Sequence, residues 1–415
     1  MKRAGLLICI GIVLCSLLTA HTAGALPFAE SYLLRAQGAE ALYWNPALIT
    51  PEYQDIILPG MSVAISAGNN SFDLDTYNYI SGRYLTDADK VDILNKVDQE
   101  LKAATNTDAM LLGLTLGRVS FASSVHARGT ITISEDYLKL LLYGNEENDY
   151  YFSLNENKVE GISYQDVSFG VGNIRIDPII ANLKIPTIVA GFSASALLGY
   201  ATAETQKYWG SLHTGLDGMN ITQEIYVKTG IGGIGKKAML GLSTSPIPNL
   251  SIGMSLDNLF GSILWMGKKD IYHYTIAVDS AYVSELDEDV FYHEQTSEKI
   301  DNFTTDIPPE LRLGGIFRTP WVNVSADWIQ GFGNSQLTST IGKTSLAAEF
   351  TPFPGLSLQS GISLGNRSQS WSISYGLGFK GKNLDGNFGC RTYDSILPGY
   401  KSRGLAFSGS LKIHY

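Results

Sequence analysis

Residues 405–415 alternate without a break. Leu405, Phe407, Gly409, Leu411, Ile413 and Tyr415 fall on one face of an extended chain, and Ala406, Ser408, Ser410, Lys412 and His414 fall on the other. A strand that is apolar on one face, polar on the other and ends on an aromatic residue has the pattern of a membrane-barrel strand between lipid and lumen. The same unit recurs upstream. Leu356, Leu358, Ser360, Ile362 and Leu364 alternate with Ser357, Gln359, Gly361 and Ser363. Trp371, Ile373, Tyr375, Leu377 and Phe379 alternate with Ser372, Ser374, Gly376, Gly378 and Lys380, and Val322, Val324, Ala326 and Trp328 with Asn323, Ser325 and Asp327. Turn chemistry separates these runs at Thr351-Pro352-Phe353-Pro354-Gly355, Arg318-Thr319-Pro320-Trp321, Gly381-Lys382-Asn383 and Pro246-Ile247-Pro248-Asn249. The predicted fold is all-β, a transmembrane antiparallel barrel of about fourteen strands, between roughly twelve and sixteen. Short turns then mark the periplasmic side, and the longer polar stretches at 331–342, 395–403 and 284–306 face outward.

Two stretches leave the period of two. Residues 86–101 read as a helix in an early loop, with Thr86 as N-cap, Asp89 three residues on, and Val91, Leu94, Val97 and Leu101 at helical spacing. Residues 133–144, with Tyr137, Leu138, Leu141 and Leu142, read as a short helix or an apolar loop edge.

The first residues carry an export pattern. Met1-Lys2-Arg3 is basic, residues 4–20 are nearly all apolar, and Ala23-Gly24-Ala25 supplies small residues for cleavage. Residues 1–25 are therefore expected to be a removed signal peptide, which takes Cys9 and Cys15 with it. Cys390 is then the one cysteine left, and no intramolecular disulfide can form.

Composition agrees with a barrel and excludes several functions. The chain of 415 residues holds 43 Gly, 22 Tyr and 16 Phe but only 17% charged residues, and past the signal no run reaches the roughly eighteen apolar residues of a membrane helix. A net charge of −10 without a basic stripe excludes nucleic acid as a partner. His126, His213, His273, His293 and His414 are scattered, with no His-x-x-x-His or Gly-x-Ser-x-Gly arrangement, and Cys390 stands alone. No catalytic, metal or cofactor site is expected, and the chain does not read as an enzyme.

The most specific motif is Ala36-Gln37-Gly38-Ala39-Glu40-Ala41-Leu42-Tyr43-Trp44-Asn45-Pro46-Ala47-Leu48, an Ala-rich stretch running into an aromatic-x-Asn-Pro-Ala turn. It resembles the N-terminal motif of the FadL-type outer-membrane transporters and their PorV-like relatives. Shorter pieces are similar to an uncharacterised branch of that superfamily: Asn69-Asn70-Ser71-Phe72, residues 85–90, residues 140–145, Leu256-Asp257-Asn258-Leu259-Phe260-Gly261 with Trp265, and residues 309–314. The resemblance implies a division into signal (1–25), N-terminal hatch segment (26–58) and outer-membrane barrel (59–415). It implies that Asn45, Pro46 and Ala47 anchor the hatch. The partners it implies are outer-membrane lipid and a hydrophobic small molecule, admitted from outside and released through a side opening in the wall.

Tyr77, Tyr79, Tyr150, Tyr151 and Phe152 are candidates to receive such a solute or to sit in an interfacial girdle. The PorV-like relatives imply another role, docking a surface or periplasmic protein. The acidic run with Glu285, Asp287, Glu288, Asp289, Glu294 and Glu298 then offers either a docking site or a solvated loop.

Overall fold

A computed structural model describes residues 31–97, 99–144, 149–153, 156–176, 186–215, 218–281, 292–365 and 370–415. The strands in chain order are β1 (Asp55–Ile57), β2 (Ser62–Asn69), β3 (Glu100–Leu116), β4 (Val119–Ser134), β5 (Tyr150–Ser153), β6 (Lys158–Ile176) and β7 (Ile188–Gly215). Then come β8 (Gly218–Ile247), β9 (Leu250–Trp265), β10 (Lys269–Ala281), β11 (Tyr292–Lys299), β12 (Phe303–Asp306) and β13 (Glu310–Arg318). The last are β14 (Val322–Gly331), β15 (Lys343–Phe353), β16 (Leu356–Leu364), β17 (Trp371–Lys380), β18 (Leu384–Tyr393) and β19 (Gly404–His414). Among the described residues four α-helices accompany them: α1 (Ala41–Trp44), α2 (Leu74–Ile80), α3 (Asp87–Lys96) and α4 (Glu135–Tyr143).

The wall is a closed antiparallel barrel of fourteen strands, as the alternation predicts. Closure is made by β19 against β2, from Gly404 opposite Gly68 to Ser410 opposite Ser62. Closure leaves no unpaired sheet edge in the hydrocarbon. The first wall strand comes in two pieces. β1 carries on where β2 stops, with Ile56 opposite Ile413 of β19 and Leu114 of β3. Asp55–Ile57 thus lies in the wall, ahead of residue 59, where the sequence puts the barrel's start.

The period of two sorts side chains as predicted. Phe407 is 58% exposed while Ala406 and Lys412 beside it are buried, and Leu346, Leu358, Leu377 and Phe388 face out likewise. Inward positions are small and polar, with Ser345, Ser363, Ser372, Ser374 and Ser410 all buried. The four predicted turns join β8 to β9, β13 to β14, β15 to β16 and β17 to β18. Trp321, Phe353 and Tyr415 lie exposed at that end, as interfacial aromatics do.

On the opposite side the strands outrun the membrane. β8 has 30 residues, roughly 100 Å of chain at about 3.3 Å per residue, against an apolar band about 25 Å tall. The overhang of β7 and β8 carries β5 on one side and β10 with β11 on the other. There Tyr150, Phe152, Leu212, Met219 and Val278 form an apolar cluster covered by Tyr137 and Leu140 of α4.

Outer segments differ in detail from the sequence reading. The early helix ends at Lys96 instead of running to residue 101, because Leu101 pairs with Ile133 in the β3–β4 ladder. Its buried apolar residues are Ile93 and Val97, whereas Val91 is exposed. Its predicted cap is present: Thr86 and Asp89 form a reciprocal capping box. Hydrogen bonds from Thr86 hold the Asp89 carboxyl down at about 2. Of the polar stretch 284–306, residues 292–299 are strand β11, paired with β10, and residues 303–306 are β12. Glu285, Asp287, Glu288 and Asp289 lie outside the described residues.

A barrel sorted by lipid and lumen responds unequally to substitution on its two faces. Leu377→Arg, facing lipid, is expected to cost about 2–4 kcal/mol. Ser374→Ala removes a buried hydroxyl that has no partner, so it should cost close to nothing. Urea unfolding midpoints in lipid vesicles separate the two.

Candidate functional site in the barrel lumen

Residues 31–49 lie inside the barrel, and the wall meets them from nearly every side. Asp327 of β14 accepts from the backbone N–H groups of Tyr32 (2.6 Å) and Leu33 (2.9 Å). Arg35 faces Glu349 of β15 at 3.4 Å. Arg318 of β13 donates to the Leu34 carbonyl at 3.0 Å. Ser193 of β7 donates to the Leu42 carbonyl at 3.3 Å. Glu40 is fully buried and takes both the Lys412 ammonium of β19 and the Tyr32 hydroxyl, the latter at 2.7 Å. Burial and the neighbouring Glu40 charge push the Tyr32 phenol well above its ordinary range, so it stays protonated and donates.

The Asn-Pro-Ala turn is held by its own side chain and by the wall. The Asn45 side chain accepts from the Ala47 N–H at 3.1 Å, capping the short helical turn Pro46–Leu48, and donates to the Leu242 carbonyl of β8 at 3.1 Å. Proline follows well here, since it has no N–H to lose at the first position of a turn. Glycine makes the approach possible. A Cβ at Gly172 of β6 or Gly191 of β7 would collide with the Pro46 backbone, and one at Gly241 of β8 with the Asn45 side chain. The row continues at Gly253 of β9, against Leu34, and at Gly314 of β13, against Leu33. Gly191 pairs with Gly241, and Gly253 with Gly314, so the glycines run across adjacent strands.

Above the turn lies a layer of buried charge. Lys237 of β8 pairs with Asp166 of β6 at 2.9 Å, with its ammonium 5.8 Å from the centre of the Tyr43 ring. Arg312 of β13 reaches Asp257 (2.9 Å), Glu310 (2.7 Å) and the Tyr43 carbonyl (2.6 Å), and its guanidinium lies 5.2 Å over the Trp44 ring. Asp108 of β3 takes His126 at 2.7 Å and Arg128 at 2.5 Å from β4. Farther up, Ile162, Tyr164, Leu197, Ile263, Trp265 and Ile307 form a buried apolar cap over the β6–β9 side of the wall.

The wall is interrupted beside this boundary. β9 pairs with β13 up to Asp257 opposite Glu310, and resumes against β12 from Ser262 opposite Asp306. Between them Asn258 and Phe260 take φ of 56° and 57°, a left-handed conformation uncommon outside glycine. The β8–β9 register slips twice there, and Phe260 is 78% exposed. A cavity of about 330 Å³ lies beside the break on its β7–β8 side, lined by Ala194, Ala196, Lys236, Ala238, Leu259 and Phe260 and also by the inward-facing Ser195 and Lys237.

A family model described as "Family of unknown function (DUF5723)" matches residues 46–261, more than half of the chain. The chain belongs to this family. The matched region starts in the Asn-Pro-Ala turn and stops at the wall break. No curated protein matches the sequence. Among solved structures, a "TodX deltaS2S3 mutant monoaromatic hydrocarbon channel" aligns at 10% identity over 93% of this chain and 98% of its own, with TM-score 0.51. The "Pseudomonas putida toluene transporter TodX" aligns at 9% over 95% and 98%, with TM-score 0.49. A "CymD monoaromatic hydrocarbon channel" aligns at 11% over 91% of each chain, with TM-score 0.43. The DUF5723 chain thus has the fold of the FadL-like outer-membrane barrels, as its N-terminal motif suggests.

The motif residues Asn45, Pro46 and Ala47 come together at one spot on the wall. The aromatic candidates do not: Tyr150 and Phe152 are buried in the outer cluster, whereas Tyr77, Tyr79 and Tyr151 are exposed. Glu294 and Glu298 sit on the exposed strand β11. His126 and His273 are strand residues, the latter stacked 4.1 Å from Tyr226. Among the described residues no group of three or more His, Cys, Asp or Glu could hold a metal ion.

The glycine row sets the tightness of the lumen. Gly191→Ala or Gly241→Ala should destabilise the barrel by about 1–3 kcal/mol through overpacking and expose residues 31–49 to protease. Gly129→Ala, whose new Cβ would meet only the Thr105 hydroxyl, serves as the comparison. Equal protection in all three variants would remove the glycine argument.

Proposed function

We propose that this barrel passes hydrophobic small molecules across the outer membrane, with residues 31–49 as a hatch anchored by Asn45, Pro46 and Ala47. The observation that carries the reading is the wall break at residues 258–261, whose cavity is bordered by residues from both faces of the wall. A straight path to the periplasm would take an apolar solute past the Lys237–Asp166 and Arg312–Asp257 pairs, where it would displace or unpair buried charge. Unpairing such a charge costs several kcal/mol. Leaving sideways into lipid passes neither pair: Ala194, Ala196 and Ala238 face outward there, with the exposed Lys236 at the rim. The outer cluster around Tyr150 and Phe152 is the first apolar surface on the way in.

In this reading the solute collects at the outer cluster, passes the apolar cap and leaves at Phe260. The hatch closes the lumen below. The aligned proteins are a toluene transporter and a monoaromatic hydrocarbon channel. For this chain the solute is an uncharged or weakly polar small molecule.

Two variants test it in proteoliposomes. Ala238 of β8 and Leu259 of β9 both line the cavity and are paired between the two register slips of the β8–β9 seam, at a spacing that permits a disulfide. An Ala238→Cys, Leu259→Cys pair should block uptake of an apolar probe when oxidised and restore it on reduction, and full uptake in the oxidised state rules out the lateral exit. Asn45→Ala with Pro46→Ala should raise leakage of small polar solutes in liposome swelling. Unchanged permeability would rule out a hatch.

A further inference from the structure

The stretch 395–403, a polar outer loop by its sequence, lies against the lipid side of the wall. Tyr375 is an outward residue in the alternation of β17, and its hydroxyl donates to the Ile396 carbonyl at 2.6 Å. Thr392 falls on the same outer face of β18, paired between Ile373 and Leu405, yet it is fully buried. Its cover is Ser402, whose hydroxyl lies 2.6 Å from the Thr392 hydroxyl. Contacts to two wall strands thus hold the loop folded down over the outside of the rim.

The depth it reaches follows from β17. The 10 residues of that strand, at about 3.3 Å each and tilted by about 40°, rise about 25 Å, the height of the apolar band. Tyr375 stands near the middle of that rise, so the backbone its hydroxyl holds lies at the hydrocarbon edge of the outer leaflet. Irregular backbone in such a place needs its polar groups satisfied from within the protein. The loop uses its own hydroxyls for this: the Leu397 carbonyl accepts from Ser395 at 2.9 Å and from Ser402 at 3.2 Å, and the Ser402 hydroxyl accepts from the Gly399 N–H at 3.2 Å.

The side chains left uncovered are apolar. Ile396, Leu397 and Tyr400 are 66%, 68% and 66% exposed. Helix α2 is tied to the loop by the Asp75 N–H, which donates to the Tyr400 carbonyl at 2.9 Å, and its exposed Leu74 and Tyr77 extend the patch. Below, the patch runs on into the lipid-facing surface of β17 and β19, where Leu377 and Phe407 are exposed. Charge returns at the exposed Asp75 and Lys401, as it does where hydrocarbon gives way to headgroups.

We propose that residues 395–402 and α2 form a membrane-seated rim, with Ile396, Leu397 and Tyr400 inserted into the outer leaflet. The occupant of the patch is lipid, because the patch continues the lipid-facing wall and the loop meets its backbone needs as hydrocarbon requires. The rim lies on β17–β19, away from the break beside β9, so it stands whether or not a solute leaves there.

Site-specific fluorescence tests this. Cys390 is the one cysteine beyond residue 15, so a Cys390→Ala background accepts single labels. An NBD fluorophore is placed at Leu397→Cys, at Phe407→Cys in the lipid-facing wall, and at Glu298→Cys on the exposed outer strand β11. Each protein is reconstituted in phosphatidylcholine vesicles and titrated with nitroxide-bearing phospholipid and, separately, with aqueous cobalt. The Leu397 probe should follow the Phe407 probe, quenched strongly by the nitroxide lipid and at least about fivefold less by cobalt than the Glu298 probe. Heat-modifiable mobility on gels shows that each variant is folded, and a probe at Tyr400→Cys decides if Leu397→Cys is not. Cobalt quenching equal to that at Glu298 would overturn the proposal. Shielding from both quenchers that grows with the protein-to-lipid ratio would also overturn it, since a second copy of the chain would then cover the patch.

Discussion

Every backbone N–H and C=O in the hydrocarbon must find a partner within the protein, and the whole architecture follows from that constraint. It forces closure between β19 and β2, and closure fixes a lumen whose width the strand number sets. A lumen of fourteen strands is too wide for wall side chains alone to fill. Residues 31–49 occupy much of it, and they bring their own backbone polar groups into a place with little water. Wall side chains answer those groups one by one: Asp327 for two N–H groups, Arg312, Arg318 and Ser193 for three carbonyls. The inward charges on the wall are therefore partners of the inserted segment as much as of each other.

Much of this was legible in the sequence because lipid enforces a strict code. Where one face meets hydrocarbon, the period of two is hard to miss, and short turns punctuate it. That code yields the strand count, the four tight turns and the inside and outside of β16, β17 and β19. The Asn-Pro-Ala turn was visible as a local motif, since Asn45 caps its own turn two residues on.

What was hidden depends on register. Gly172, Gly191, Gly241, Gly253 and Gly314 lie far apart in the chain, and only strand pairing brings them to one patch. A faint signal exists, since glycine recurs at inward positions where serine is the usual choice. Lys237, Asp166, Arg312 and Asp257 were equally silent, being single charges on separate strands. At the wall break the alternation does fail, with Leu259 and Phe260 apolar in succession, and that failure was readable as an irregularity though not as an interruption of the barrel. The end of the early helix was misplaced because pairing of Leu101 with Ile133 outweighs helical spacing.

The pair between Glu40 and Lys412 has a consequence for assembly. Lys412 lies in β19 and Glu40 in the inserted segment 31–49, 372 residues earlier in the chain, and both are buried. Lys412 also stands opposite Asp385 in the β18–β19 ladder and has Asp55 close by, so the seam gathers three carboxylates around one ammonium. Glu40 is the one of them that the inserted segment brings, and its burial beside Lys412 couples the seating of residues 31–49 to the setting of the closing strand. Filling the lumen and fixing the seam are thereby linked events in assembly.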